Sequence, residues 1–383
     1  MFGQLFEQIK SWRHHLHENP ELLYDTIKTA AFVEEKLTEF GCDEVVKGLG
    51  RTGVVGVIHG KRRSSKKVIG LRADMDALPL QEKTDLDYAS KIPGVMHACG
   101  HDGHTAMLLG AANYLAETRN FDGTAILIFQ PAEEGGAGAK EMIDDGLMTK
   151  FGIQEVYGMH NMPGLDLGSF SIRDGDFFAS ADTFSIKVVG KGGHAAKPQE
   201  TIDPVLLGSN IVMALQSIVS RNVDPTKNVV LSVCTFKSDT DSFNVIPESV
   251  TLKGTVRTFE REVQEKTRKN ILQLSKSMAE SYGGTVEIQY VEGYPVMKNS
   301  SIETDFAKEI AERVSGRDVV EAEKIMGAED FSFLLNSSKG AYILIGNGNS
   351  SSVHSPTYVF NDEALPLGAS YWSELVESRM QIK

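Results

Sequence analysis

Residues 123–134, "GTAILIFQPAEE", decide the fold. They form a short apolar run bounded by a glycine and a proline, and so read as a strand. Helical spacing is predicted on both sides, over 103–117 before it and 136–145 after it. Upstream, "GVVGVIHG" (53–60) and "KVIGLRADM" (67–75) are equally short, β-branched and turn-bounded, and another strand is expected near 155–160. Helices over 4–18, stopped before Pro20, and over 26–41, ended at Gly41, precede them. Strands alternating with helices in this way predict an α/β fold, a mostly parallel sheet covered by helices.

From about residue 180 the pattern restarts. "ADTFSIKVVGKGGHAAKP" (181–198) is a fresh strand with a glycine-rich bend, followed by a long helix over 203–221. Two strands come next, "NVVLSVCTF" and "SVTLKGTVRTF", then a helix over 261–281 and the strand "GTVEIQYVEG". This β-α-β-β-α-β order is that of a split-βαβ α+β sandwich. A helix over 299–314 and the apolar strand "AYILIGNG" then resume the first pattern. The expected organisation is one domain over 1–179 and 291–383, with 180–290 inserted into it.

The chain has 383 residues, enough for two domains, with 41% apolar and 24% charged residues. A formal charge of −13 argues against nucleic acid as a partner. The one basic run, "KRRSSKK" (61–67), reads as a solvated loop. Cys42, Cys99 and Cys234 are too few and too scattered for a disulfide framework and suit a reducing compartment. The N-terminus lacks the pattern of a signal peptide, and no apolar run reaches membrane-spanning length. A cytoplasmic location and a small-molecule partner are the expectation.

Ligand-type side chains gather at strand ends. "GLRADMDALPL" (70–80) closes an apolar strand with Asp74 and Asp76, where open α/β sheets place their sites. "MHACGHDGHTAML" (96–108) offers His97, Cys99, His101, Asp102 and His104. "IFQPAEEGGAG" (128–138) ends in Glu133 and Glu134, "YGMHN" carries His160, and "SSVHSP" carries His354. Five segments bringing imidazole, thiolate and carboxylate groups to one sheet edge are most simply explained by a shared metal cluster. Gly100 permits a turn that aims Cys99 and His101 at one point. Of two adjacent glutamates past a strand end, one can bind metal while the other takes a proton from water.

Plainer readings weigh on single residues. A lone histidine is usually a hydrogen-bonded core residue, and Cys42 and Cys234 read as inert core thiols. His14, His15 and His17 fall on an amphipathic helix as surface or packing residues. Glu329 or Asp330 of "GAEDFSF" reads as a helix cap, and Asp102 and His104 as helix stiffeners or outer partners of the cluster. "GKGGH" lacks the full phosphate-loop pattern.

The ordered series "RHHLHENPEL", "GLRADMDALPL", "MHACGHDGHTAMLLGAA", "FQPAEEGGAGAKEMIDDGL", "GMHN", "GGHAAKP", "FNVIP", "GTVRTF", "GAEDFSF" and "HSPTYVFNDEAL" resembles the two-metal amidohydrolases. That group comprises aminoacylases, hippurate hydrolases and indole-acetyl-amino-acid hydrolases, and the bacterial hippurate hydrolases are the nearest in kind. The resemblance implies that Cys99, His101, Glu134, His160 and His354 bind two divalent ions (zinc, manganese, cobalt or nickel), with Cys99 bridging. It implies Glu133 as general base, Asp74 as a carboxylate orienting a ligand, and His194 as a lid histidine reaching the substrate. Asn244 and Arg257 match positions that contact the substrate's carbonyl and carboxylate. The inserted domain then acts as lid and as homodimer contact. The implied reaction is hydrolysis of N-acyl amino acids. A dipeptidase or carboxypeptidase on the same scaffold and a non-catalytic binder are the rival readings; the general base at Glu133 speaks against the binder.

Overall fold

The structure, a computed structural model, describes residues 5–382. The chain forms two compact units. The first comprises the described residues up to Phe177, then Lys298–Glu323 and the chain from Asp330 on; the second is Phe178–Met297 with Lys324–Glu329.

The first unit opens with helices α1 (Phe6–Glu18) and α2 (Ile27–Glu39) and strands β1 (Glu44–Leu49), β2 (Gly53–His59) and β3 (Val68–Asp74). Helix α3 (His101–Thr118), strand β4 (Thr124–Gln130), helices α4 (Gly138–Asp144) and α5 (Leu147–Phe151), and strands β5 (Glu155–Met162), β6 (Phe170–Ile172) and β7 (Gly175–Phe178) follow. The second unit carries β8 (Ser180–Val189), β9 (Gly193–His194), α6 (Pro204–Ser217), β10 (Val229–Ser238), β11 (Val245–Ile246), β12 (Ser249–Thr258), α7 (Arg261–Ser281) and β13 (Thr285–Tyr294). The chain returns through β14 (Met297–Asn299), α8 (Ser301–Ser315), β15 (Val320–Glu321), α9 (Phe331–Ser337), β16 (Lys339–Gly346) and α10 (Leu365–Arg379).

The large sheet has the order β1-β2-β4-β3-β5-β16-β6-β15. Its centre, β4-β3-β5-β16, is parallel, and antiparallel pairs flank it. Successive residues of β3, β4 and β16 are buried almost without interruption. Neighbouring side chains point to opposite faces of a strand, so both faces of this sheet are covered. Leu71, Leu127, Phe129, Ile343 and Ile345 of the sheet share one core with Leu108, Leu115 and Trp372 of the helices. Burying each such side chain stabilises the fold by about 1.5–3 kcal/mol.

Element boundaries fix where the ligand-type residues fall. β4 stops at Gln130 because Pro131 has no N–H to donate, so Glu133 and Glu134 sit in the loop beyond the strand. α3 starts at His101, earlier than the predicted 103, because Gly100 is left-handed (φ 91°) and ends the preceding segment. β1 and α10 have no counterpart in the sequence reading.

In the second unit the strand order is β10-β12-β8-β13, antiparallel throughout, with α6 and α7 packed on the sheet. This is the split-βαβ arrangement. Burial alternates along β8, as a sheet covered on one face requires. Asp203 caps α6 by accepting from the N–H groups of Val205 and Leu206, with Pro204 at the first helical position. β13 runs to Tyr294, beyond the 290/291 boundary drawn from sequence. Cys234 is exposed on β10 rather than a core thiol, because it points away from the helix-covered face. Among the described residues, no helix is long and apolar enough to cross a membrane.

Candidate metal centre

The turn that joins the β3 side of the sheet to α3 carries two of the expected ligands. A Cβ on Gly100 would lie 2.3 Å from Asn161 Nδ2 and 2.7 Å from the Tyr358 hydroxyl, and its φ is 91°. Both space and backbone therefore demand glycine between Cys99 and His101. Cys99 Sγ lies 3.3 Å from His160 Nε2. His160 donates its Nδ1–H to the Asn161 carbonyl at 2.6 Å, which leaves the Nε2 lone pair facing the thiol.

Glu134 approaches from the loop after β4, and His354 from the loop after β16; their Oε1 and Nε2 atoms are 3.1 Å apart. His354 has φ 63° and Ala132 has φ 55°, conformations that non-glycine residues rarely hold without support. The support for His354 includes its N–H, which donates to the Ala98 carbonyl at 2.7 Å and ties this loop to the ligand turn. Ligand atoms of Cys99, His101 and His160 lie within 4.8 Å of one another; so do those of Cys99, Glu134 and His354, and those of His101, Glu133 and Glu134. All six side chains thus converge on one place.

Its electrostatics call for positive charge. Burial raises the pKa of the Cys99 thiol, and the neighbouring Glu134 and Glu133 carboxylates raise it further. Burial disfavours charge on His101, but Asp74 and Asp76 lift its pKa to about 10. His160 is pushed down by burial and by His104 beside it. Burial would raise the pKa of Glu134, yet His354 and His101 bring it below the ordinary value. Both ring nitrogens of His101 are buried without a well-formed hydrogen bond, the nearest carboxylate oxygens lying at 3.5 and 3.7 Å. Native proteins rarely leave such atoms unsatisfied. A mixed thiolate, imidazole and carboxylate set with orphaned donor atoms fits divalent cations.

Further carboxylates brace this set. Asp74 takes the Nδ1–H of His104 at 2.6 Å and an Arg72 N–H at 2.6 Å, and lies 3.7 Å from His101 Nε2. Asp76 accepts the backbone N–H groups of Glu133 and Glu134 at 2.9 and 3.2 Å and lies 3.5 Å from His101 Nδ1. Asp76 thereby orients both glutamates, a role the sequence reading did not give it, although the Asp-Met-Asp spacing at a strand end was the available signal. Asp330 does not cap α9, the helix it precedes: its carboxylate receives Arg72, Gln130 and the N–H of Ala139 in the first turn of α4, because it faces the buried guanidinium. His17, read as a surface or packing residue, is buried, with Nδ1 2.8 Å from Asp102.

The remaining expected residues lie in the second unit. His194 and Asn244 fall at one small ladder, where His194 pairs with Val245 and the Asn244 carbonyl accepts from Ala195 N–H at 3.0 Å; both side chains are exposed. Arg257 lies on β12 between Val230 and Ala181; burial lowers its pKa and the Asp182 charge works the other way.

The chain belongs to the peptidase family M20/M25/M40, which it matches over residues 70–378. Fold, ligand cluster and family together define a metal-dependent amidohydrolase acting on linear amides. Among its relatives, hippurate hydrolase of Campylobacter jejuni is 46% identical over 97% of this chain and 95% of its own length. Thermostable carboxypeptidase 2 of Saccharolobus solfataricus is 40% identical over 95% of this chain and 94% of its own. The Bacillus subtilis YXEP protein, described as a dinuclear metal binding peptidase, superposes with a TM-score of 0.85 at 33% identity, covering 98% and 99% of the two chains.

Proposed function

We propose that this protein hydrolyses the amide bond of N-acyl amino acids, hippurate-like N-benzoyl or N-acetyl substrates, to a carboxylic acid and a free amino acid. The observation that carries the reading is the convergence of Glu133 with Cys99, His101, Glu134, His160 and His354. The last five are assigned to hold two divalent ions of zinc, manganese, cobalt or nickel. Such ions, when bound, polarise an amide carbonyl and lower the pKa of water to about 7. Glu133 is assigned as general base: it takes a proton from the attacking water and returns it to the leaving amine. Asp76 holds the backbone of Glu133 and Glu134, while Asp74 braces the histidines.

Three residues of the second unit are assigned to the substrate. His194 donates a hydrogen bond to the developing oxyanion, Asn244 contacts the carbonyl, and Arg257 receives the carboxylate, whose geometry its fork matches. The likeness to hippurate hydrolase supports the N-acyl reading. The second unit is proposed as lid and homodimer contact; Leu206 and Met213 of α6 stand 53% and 72% exposed, apolar surface that a second copy would cover. Three free cysteines fit a cytoplasmic location.

The likeness to a carboxypeptidase keeps peptide substrates in the comparison. The test is turnover of N-benzoylglycine, several N-acetyl amino acids and a set of dipeptides by enzyme reconstituted with each metal. N-acyl amino acids should give the highest kcat/KM. Faster cleavage of dipeptides would move the assignment to peptidase, and no turnover of any amide would reject it.

A further inference from the structure

We infer that Asn161 is a positioning residue that locks three ligand-bearing segments into one geometry, an inference that rests on the metal-centre reading above. Asn161 is 1% exposed and follows His160 on β5. Its Nδ2 donates to the Cys99 carbonyl at 2.6 Å. The Tyr358 hydroxyl donates to its Oδ1 at 2.6 Å. Its own carbonyl accepts the His160 Nδ1–H at 2.6 Å, and its backbone N–H donates to His104 Nε2 at 3.0 Å. The carboxamide orientation follows from its partners: the Cys99 carbonyl can only accept, so nitrogen faces it and oxygen is left for the tyrosine.

These contacts reach three of the segments that meet at the cluster, while the loop with Glu133 and Glu134 hangs from Asp76. Cys99 and His101 belong to one turn, His160 to a strand, and His354 to the loop that carries Tyr358 four residues later. One side chain and its backbone bond to all three. Because the Asn161 N–H donates to His104 Nε2, His104 carries its proton on Nδ1, and this sets the hydrogen bond that His104 donates to Asp74, the carboxylate beside His101. Gly100 is the complement of the device, since any larger residue would strike the Asn161 amide and the Tyr358 hydroxyl. Asn161 supplies no ligand atom itself. Its partners are the backbone and imidazoles of the ligand segments, so its loss should be felt in how the cations are held more than in the stability of the sheet.

The test uses Asn161→Ala and Tyr358→Phe in the full-length protein, stripped of metal and titrated with cobalt(II). The readouts are the thiolate-to-cobalt absorption band in the near ultraviolet, the cobalt Kd by chelator competition, and the melting temperature of the metal-free forms. Asn161→Ala is expected to weaken cobalt binding by about 10–100-fold and to shift or diminish the band. Tyr358→Phe should do the same to a smaller degree while melting near wild type when metal-free. Should Asn161→Ala not fold, Tyr358→Phe decides alone. Wild-type affinity and an unaltered band in the folded variants overturn the inference. A wild-type protein that takes no cobalt, or shows no thiolate band, instead rejects the metal-centre reading and this inference with it.

Discussion

Glu133 and Glu134 are neighbours in sequence and opposites in assignment. Both backbones hang from Asp76, but Glu134 pairs with His354 while Glu133 is held near His101. Glu133→Ala is therefore expected to keep its metal and lose about 10²–10⁴-fold in kcat, measured on N-benzoylglycine alongside metal content. Cys99→Ala should instead lose metal, by elemental analysis, and activity with it, weakening binding by more than the about 10–100-fold that an outer partner costs. Gly100→Ala must relieve both a left-handed backbone and the Asn161 contact. It should lower stability by about 1–3 kcal/mol, read as a shift in the denaturant midpoint, and release metal. At this scale the sequence is informative about the ligand-type residues and about charged support such as Asp74, and silent about neutral support. Ligand-type residues announce themselves by type, and their clustering at strand ends was visible. Asn161 and Tyr358 do not: an asparagine or a tyrosine is common everywhere, and only the folded chain shows that both face the Cys99–His101 turn.

Helix α1 shows how an element serves a site it does not line. Its buried face presents Arg13 and His17 to Asp102, at 3.1 and 2.8 Å, one residue beyond His101. Burial opposes charge on His17, yet the Asp102 carboxylate prevails and lifts its pKa from 6.5 to about 9. Folding thus favours the protonated form. Its contribution is complete below pH 6.5, the unfolded value, and disappears as pH rises through about 9. The difference between those values corresponds to roughly 3 kcal/mol. Chemical denaturation of wild type between pH 6 and pH 10 should show that loss, and His17→Gln should flatten it; parallel profiles would refute the linkage. The amphipathic spacing of this helix was legible, but three close histidines on a polar stretch gave no sign which one turned inward. β1 is not legible because "EVVKGL" is half-exposed and lacks a long apolar run, and β4 is shorter than the quoted stretch because Pro131 has no N–H to extend the ladder.

The molecule as a whole stores negative charge where water is scarce. Its −13 charge is general, but Asp74, Asp76 and Glu133 are buried around the cluster. Chelation should lower the melting temperature and metal should restore it; at a free concentration 100 times Kd the gain is about 2.7 kcal/mol. An unchanged melting temperature would argue that these residues hold no cation. The two-unit organisation was legible in the restart of strand and helix near 180. The exact seams were not, since β13 and the return through Lys298 follow from pairing rather than composition. The spread of the cluster along the chain, from Cys99 to His354, has a bearing on biosynthesis. A ribosome must have released every residue from Cys99 through His354 before the last of these side chains is available. With His354 assigned as a ligand, as proposed above, metal loading is expected to await its synthesis, and a product truncated ahead of position 354 is expected to bind metal poorly.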